Sequence, residues 1–239
     1  MSAQSTTIPV LILVFPEFNT LDVNGPLEVL RNTYLKTQPT NFSITVAAAD
    51  EHTTAGEDII IKRHISLPEA LSSISSYSIL IVPGASPSAI LPHLKPGDPH
   101  FAALLDVCEA FSRLGPVADG TERTLLSICT GALMLGYHGL FDGLRATTHF
   151  MVFDKLRELC ADYAERNPGA KGTVVVPQSG GEPVRWVDAG LNNHGVRVVS
   201  AGGVSCGMDA TLFVLSERLG RATALKVAGV MEYAWRENV

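Results

Sequence analysis

The chain has no run of basic residues, no pair of cysteines at metal-ligand spacing and no long apolar stretch. Each absence removes a class of function. The 18 Lys and Arg are outnumbered by 24 Asp and Glu, for a formal charge of −6, so the positive footprint with which proteins hold nucleic acid is missing. Four cysteines (Cys108, Cys129, Cys160 and Cys206) are scattered over 239 residues without Cys-x-x-Cys spacing. That excludes the common zinc patterns and suggests reduced thiols in a reducing compartment. The apolar run 8–15 is too short to cross a membrane and has no charged segment before it, so it reads as a first strand rather than a leader. A cytoplasmic protein with no metal, nucleic-acid or membrane partner is expected.

What is present is apolar residue, 46% of the chain against 18% charged. This is ample for one core, and the length suits a single domain over 1–239. Strand-like runs fall at 9–15, 42–49, 78–82, 124–128, 173–177, 184–187 and 197–200. Helix-like runs fall at 26–36, 68–73, 101–114, 131–138, 149–165, 205–219 and 222–237. Their alternation predicts an α/β fold of three layers, flavodoxin-like or Rossmann-like, with a mostly parallel sheet covered on both faces. Ligands of such sheets gather at the carboxyl ends of the strands. Phe15-Pro16-Glu17-Phe18, Val82-Pro83-Gly84-Ala85 and Cys129-Thr130-Gly131 each follow a strand, and all three are expected around one crevice. Residues 184–190 and 196–200 read as a late hairpin on the sheet. The Gly- and Pro-rich stretch 167–182 reads as the most insertion-tolerant. The last helix-like run ends so near Val239 that no appended helix-turn-helix module is expected.

Cys129 is the most informative residue. It stands between the apolar run Leu125–Ile128 and the helix-like run opened by Thr130-Gly131-Ala132. Small residues permit a tight strand-to-helix turn, which lifts the sulfur to the end of the sheet and aims helix N–H groups at it. Partial positive charge there favours thiolate, in the manner of the serine elbow of α/β-hydrolases. The plainer alternative is a buried structural cysteine.

Asp22 lies among apolar residues just before the predicted helix at Gly25-Pro26. It is either a helix-start acid favoured by the dipole or a carboxyl facing Cys129. In the second case burial and like charge raise its pKa, so that it holds a proton and acts as general acid. Glu28 is a competing or accessory acid. His149 is either a helix-start histidine or a partner for Cys129, which would suggest papain-like hydrolysis. Gly84 is either a plain turn glycine or the source of an N–H that joins that of Thr130 in an anion hole. Ala201–Asp209 forms a second glycine-rich junction without the Lys-Ser/Thr end of a phosphate loop. It reads as a tight turn packing a helix near the site, with Cys206 buried in it.

Together these segments resemble the ThiJ/PfpI superfamily, whose core is shared with class I glutamine amidotransferases. The resemblance runs from Val10 to Tyr233. It is carried by 21–29, by Val82-Pro83-Gly84-Ala85, by Ile128-Cys129-Thr130-Gly131-Ala132, by Ala146-Thr147-Thr148-His149 and by 199–209. The most similar branch is that of the isocyanide hydratases, whose acid is an aspartate where other branches usually carry glutamate. The resemblance implies a flavodoxin-like homodimer that needs no cofactor and acts on a small electrophilic molecule. It casts Cys129 as nucleophile, Asp22 as acid/base and Thr130 as neighbour of the thiolate. Ala85, where a second glycine is common, and the long 167–182 stretch depart from the pattern and bear on substrate. Three functions follow: hydration of an isocyanide to an N-substituted formamide, glutathione-independent conversion of methylglyoxal to lactate, and redox sensing by Cys129 without turnover.

Overall fold

Four apolar runs become the middle of a sheet because both of their faces are covered. Val10 to Leu13, Ile79 to Val82, Leu125 with Leu126, and Val198 with Val199 are all essentially inaccessible, as central parallel strands are. In the computed structural model, which describes residues 6–177 and 184–237, the strands are β1 (Thr6–Leu13), β2 (Thr40–Ala48), β3 (His52–Thr54), β4 (Ile60–Lys62), β5 (Ile65–Ser66), β6 (Ile79–Val82), β7 (Arg123–Ser127), β8 (Arg145–Ala146), β9 (Val174–Val175), β10 (Trp186–Leu191) and β11 (Val196–Ala201). The helices are α1 (Thr20–Leu30), α2 (Leu67–Ser72), α3 (Pro87–Ile90), α4 (Ala102–Ser112), α5 (Gly131–Tyr137), α6 (Phe153–Arg166), α7 (Cys206–Leu219) and α8 (Arg221–Val230).

The main sheet runs β10-β11-β7-β6-β1-β2-β5. It is parallel except where β10 lies antiparallel to β11 at one edge. Helices α1, α7 and α8 pack together, and α2, α4, α5 and α6 form a second group, giving the three layers expected. From β1 the chain moves outward to β2, and it later returns to the other side of β1 as β6. The loops after β1 and β6 therefore diverge and leave a crevice at the carboxyl end of the sheet.

Several expected boundaries moved for identifiable reasons. The first helix starts at Thr20 rather than Pro26, because Asn19 caps it by accepting from Leu21 N and Asp22 N. Pro26 sits inside the helix, which ends at Leu30 rather than at 36. The run 173–177 does not join the main sheet; Val174 and Val175 pair with Arg145 and Ala146 in a separate two-stranded ribbon. The last helix stops at Val230 instead of 237. Beyond it the tail folds back, with Trp235 Nε1 donating to Asp209 O at 3.1 Å and Arg236 N to Asp209 Oδ1 at 3.0 Å. The late hairpin forms as expected, whereas the β3–β4 hairpin and the β5 edge had no expectation at all. Residues 178–182 of the stretch expected to tolerate insertion lie outside the described residues.

Candidate active site

Cys129 occupies the gap between β7 and α5 with φ 55, a left-handed conformation that costs a non-glycine residue about 1–3 kcal/mol. The surroundings hold it there. Its N–H lies 3.1 Å from Ala201 O and 3.0 Å from Gly202 O. Its carbonyl accepts from the Thr148 hydroxyl at 2.9 Å. Tight packing against the neighbouring loop requires glycine on both sides. A methyl group on Gly84 would stand 2.5 Å from Thr130 Oγ1 and 2.6 Å from Thr130 N, and one on Gly131 would stand 2.6 Å from Pro83 O. Thr130 closes the joint, its hydroxyl donating to Ala85 O at 2.5 Å and accepting from Ala85 N at 2.9 Å.

The sulfur faces a cavity of about 510 Å³. Glu17 and Asn19 from the loop after β1, Ala85 to Pro87 from the loop after β6, and Cys129 with Thr130 converge on it, joined by Glu57, His149 and Val204. The three post-strand loops thus meet at one crevice. Cys129 itself is only 6% exposed. Burial pushes its thiol up to about 11, and the negative charge of Asp22 adds to the effect. The N–H groups of Val204 and Thr130 and the Thr130 hydroxyl pull the other way without reversing it. The expected resting thiolate is thereby corrected: α5 has seven residues, and so short a dipole does not outweigh burial.

Asp22 is fully buried in the first turn of α1. Burial raises its carboxyl from 3.8 to about 7, with the Glu57 carboxylate adding to the rise and the Gly84 N–H opposing it. Gly84 N donates to Asp22 Oδ2 at 2.9 Å. The expected anion hole at Gly84 is therefore corrected: the carboxylate, a stronger acceptor than sulfur, takes that N–H. Asp22 Oδ1 has no hydrogen-bond partner, so the direct bond to sulfur is also absent, and the two groups interact through space.

His149 lines the cavity but makes no hydrogen bond to Cys129. Its Nδ1 accepts from Met151 N at 3.3 Å, and burial lowers its pKa, so the neutral ring is favoured. Glu28 is exposed and off the cavity. Six residues after Asp22 puts it roughly 240° round the helix, which removes it as an accessory acid. Among the described residues no cluster of His, Cys, Asp or Glu is placed to hold a metal, and no helix is long and apolar enough to cross a membrane.

No family model matches the sequence. An isonitrile hydratase from Pseudomonas putida is 32% identical over 112 residues, which are 47% of this chain and only 39% of that protein. A DJ-1 superfamily protein from Salmonella typhimurium superposes with TM-score 0.65 at 19% identity, over 95% of this chain and 100% of the other. A ThiJ/PfpI family protein from Pseudomonas syringae superposes with TM-score 0.67 at 17% identity, over 100% of this chain and 80% of the other.

The chain has the fold of the DJ-1 and ThiJ/PfpI superfamily.

Within that fold, Glu17 lies at the crevice as its segment was expected to, while Asn19, Glu57 and Val204 as cavity residues and Thr148 as the clasp on Cys129 were missed. Asn19 was within reach, since it follows Phe18 in a loop already expected at the crevice. Glu57 gives no local signal: it belongs to the turn between β3 and β4 and arrives at Asn19 only by folding, accepting from Asn19 Nδ2 at 2.7 Å and Thr20 N at 3.0 Å.

Proposed function

We propose that the protein is a cofactor-independent hydratase that adds water to an isocyanide to give an N-substituted formamide. One observation carries this reading: a cysteine on a strained elbow opens on a cavity beside a buried carboxyl whose pKa is raised to about 7. The partial match to an isonitrile hydratase supports it. An isocyanide carbon accepts a nucleophile and a proton on the same atom. Cys129 Sγ bonds to that carbon while Asp22, as carboxylate, takes the thiol proton. Asp22 then gives that proton to the carbon, leaving a thioimidate. Water adds to the thioimidate carbon with one proton passing to nitrogen; the C–S bond then breaks as the new hydroxyl becomes the carbonyl, its proton passing to sulfur, to release the formamide and restore the thiol. A carboxyl with pKa about 7 is populated in both forms at neutral pH; taking the proton of a thiol near 11 is uphill and is driven by sulfur bonding to carbon in the same step, whereas giving it on to the carbon is favourable. The Thr130 and Val204 N–H groups stabilise the sulfur as it gains negative charge.

Redox sensing suits this site less: oxidation favours a thiol that is exposed and of low pKa, whereas Cys129 is buried and its thiol is pushed up. A cytoplasmic homodimer belongs to this reading, and light scattering of the purified protein tests the dimer. The function is tested by incubating the protein with cyclohexyl isocyanide and following N-cyclohexylformamide, with intact mass reporting an adduct on Cys129. Formamide production dependent on Cys129 is expected. Its absence, together with conversion of methylglyoxal to lactate, would replace this reading by the glyoxalase one.

A further inference from the structure

The lining of the Cys129 cavity combines apolar groups with acidic ones. Ala85, Pro87, Met151 and Val204 make its walls apolar, while Glu17 and Glu57 put two carboxylates on its lining. Among the described residues no Lys or Arg lines it, and the ring of His149, which does, is favoured neutral. The backbone of Glu17 and the carboxylate of Glu57 are held in place. Glu17 stands at φ 64 with its N–H donating to Thr54 O at 2.9 Å. Glu57 is held by Asn19 Nδ2 and Thr20 N. The cation-free lining thus belongs to the loops that form the crevice.

We propose that Glu17 and Glu57 act as a charge filter, so that the cavity admits neutral or cationic electrophiles and rejects anionic ones. For the reaction proposed above, on which this inference rests for its natural substrate, that means isocyanides whose substituent is apolar, uncharged or cationic, not isocyano-carboxylates. Two exposed carboxylates several ångströms from an anion repel it by about fivefold each in rate or affinity, and the repulsion weakens as salt rises.

The test uses alkylation as well as turnover. Iodoacetamide and iodoacetate place nearly the same group on sulfur, each losing iodide to the thiolate, but only the second is an anion. Their rates at Cys129, read by peptide mass spectrometry at low salt, are compared as a ratio with that of β-mercaptoethanol, a neutral thiol. The iodoacetate-to-iodoacetamide ratio is expected to be at least about tenfold lower at Cys129 than for the free thiol. Glu17→Gln and Glu57→Gln should each recover a few-fold, both together most of it, and Glu28→Gln, an equal charge change off the cavity, none. Should Glu57→Gln fail to fold, 0.5 M salt on the unsubstituted protein should also narrow the gap. The same ordering is expected in kcat/KM for methyl isocyanoacetate over isocyanoacetate. A ratio at Cys129 equal to that of the free thiol, or one that neither the double variant nor salt alters, would overturn the filter. A shifted alkylation ratio with no turnover of any isocyanide would sustain the filter and sink the hydratase.

Discussion

Two strand-to-helix junctions among the described residues carry a cysteine; both hold a non-glycine residue at positive φ, Cys129 itself in the first and Val204, two residues ahead of Cys206, in the second. At the first, between β7 and α5, Cys129 stands two residues ahead of the helix at φ 55 and faces the cavity with Asp22 behind it. At the second, between β11 and α7, Cys206 is already the first residue of the helix. Its sulfur lines a separate cavity of about 380 Å³, which shares His149 and Val204 as a wall with the first. Both thiols are nearly equally buried, at 6% and 8% exposure. Burial raises both, and the Asp22 charge adds to the rise at each; Arg185 and Arg236 oppose it at Cys206, where Asp209 also adds, and the Val204 and Thr130 N–H groups oppose it at Cys129. Burial and local charge therefore do not single out Cys129. A backbone conformation that aims the sulfur, and a carboxyl able to exchange a proton, do.

The sharpest way to break this comparison is to remove each thiol. Cys129→Ala should lower isocyanide turnover by at least about 10³-fold, as loss of a nucleophile does, while Cys206→Ala leaves it of the same order. Steady-state assays of both variants decide, and a Cys206→Ala protein more damaged than Cys129→Ala would move the chemistry to the second junction. Next in size is the carboxyl. Asp22→Asn should lower kcat by about 10²–10⁴-fold, more than it weakens binding, and Glu28→Gln should leave turnover of the same order. The reverse result would place the acid elsewhere.

The same carboxyl makes a prediction about stability. Its folded pKa of about 7 lies above the 3.8 of an unperturbed aspartate. Between these values the native state binds more protons than the unfolded chain, so stability falls as pH rises from about 4 to 7 and levels off above. The gap corresponds to up to about 4 kcal/mol. Asp22→Asn should therefore be more stable than the parent at pH 8, with the difference closing toward pH 4. Denaturant melts across that range check it, and an unchanged slope in the variant would show that Asp22 is ionised in the fold. The smallest effect concerns the glycines at the two junctions. Gly84→Ala sets a methyl against the Thr130 backbone N and should destabilise by about 1–3 kcal/mol. Gly203→Ala meets only the His149 ring, which can turn, and should cost less. Thermal melts of the two variants order them.

Periodicity and punctuation carried most of the α/β alternation and the elbow, because buried parallel strands are continuous apolar runs and the turn at Cys129 demands small neighbours. They misplaced the first helix, because Pro26 is a strong local start signal while the real start depends on Asn19, whose backbone N–H donates to Gly84 O at 2.8 Å across the crevice. They missed β3, β4 and β5, which are too short to show a period.

The sequence by itself determined the layered fold, the strand-to-helix setting of Cys129 and the candidacy of Asp22, since each is written in neighbours a few residues away. Only the tertiary structure decided which groups face one another. It turned the Gly84 N–H to Asp22 rather than to sulfur, removed Glu28 by its helical angle and brought Glu57 to the cavity. It also set burial above the dipole of a short helix in fixing the state of the thiol. These are outcomes of distance and desolvation, quantities that exist only once residues far apart in the chain are packed together.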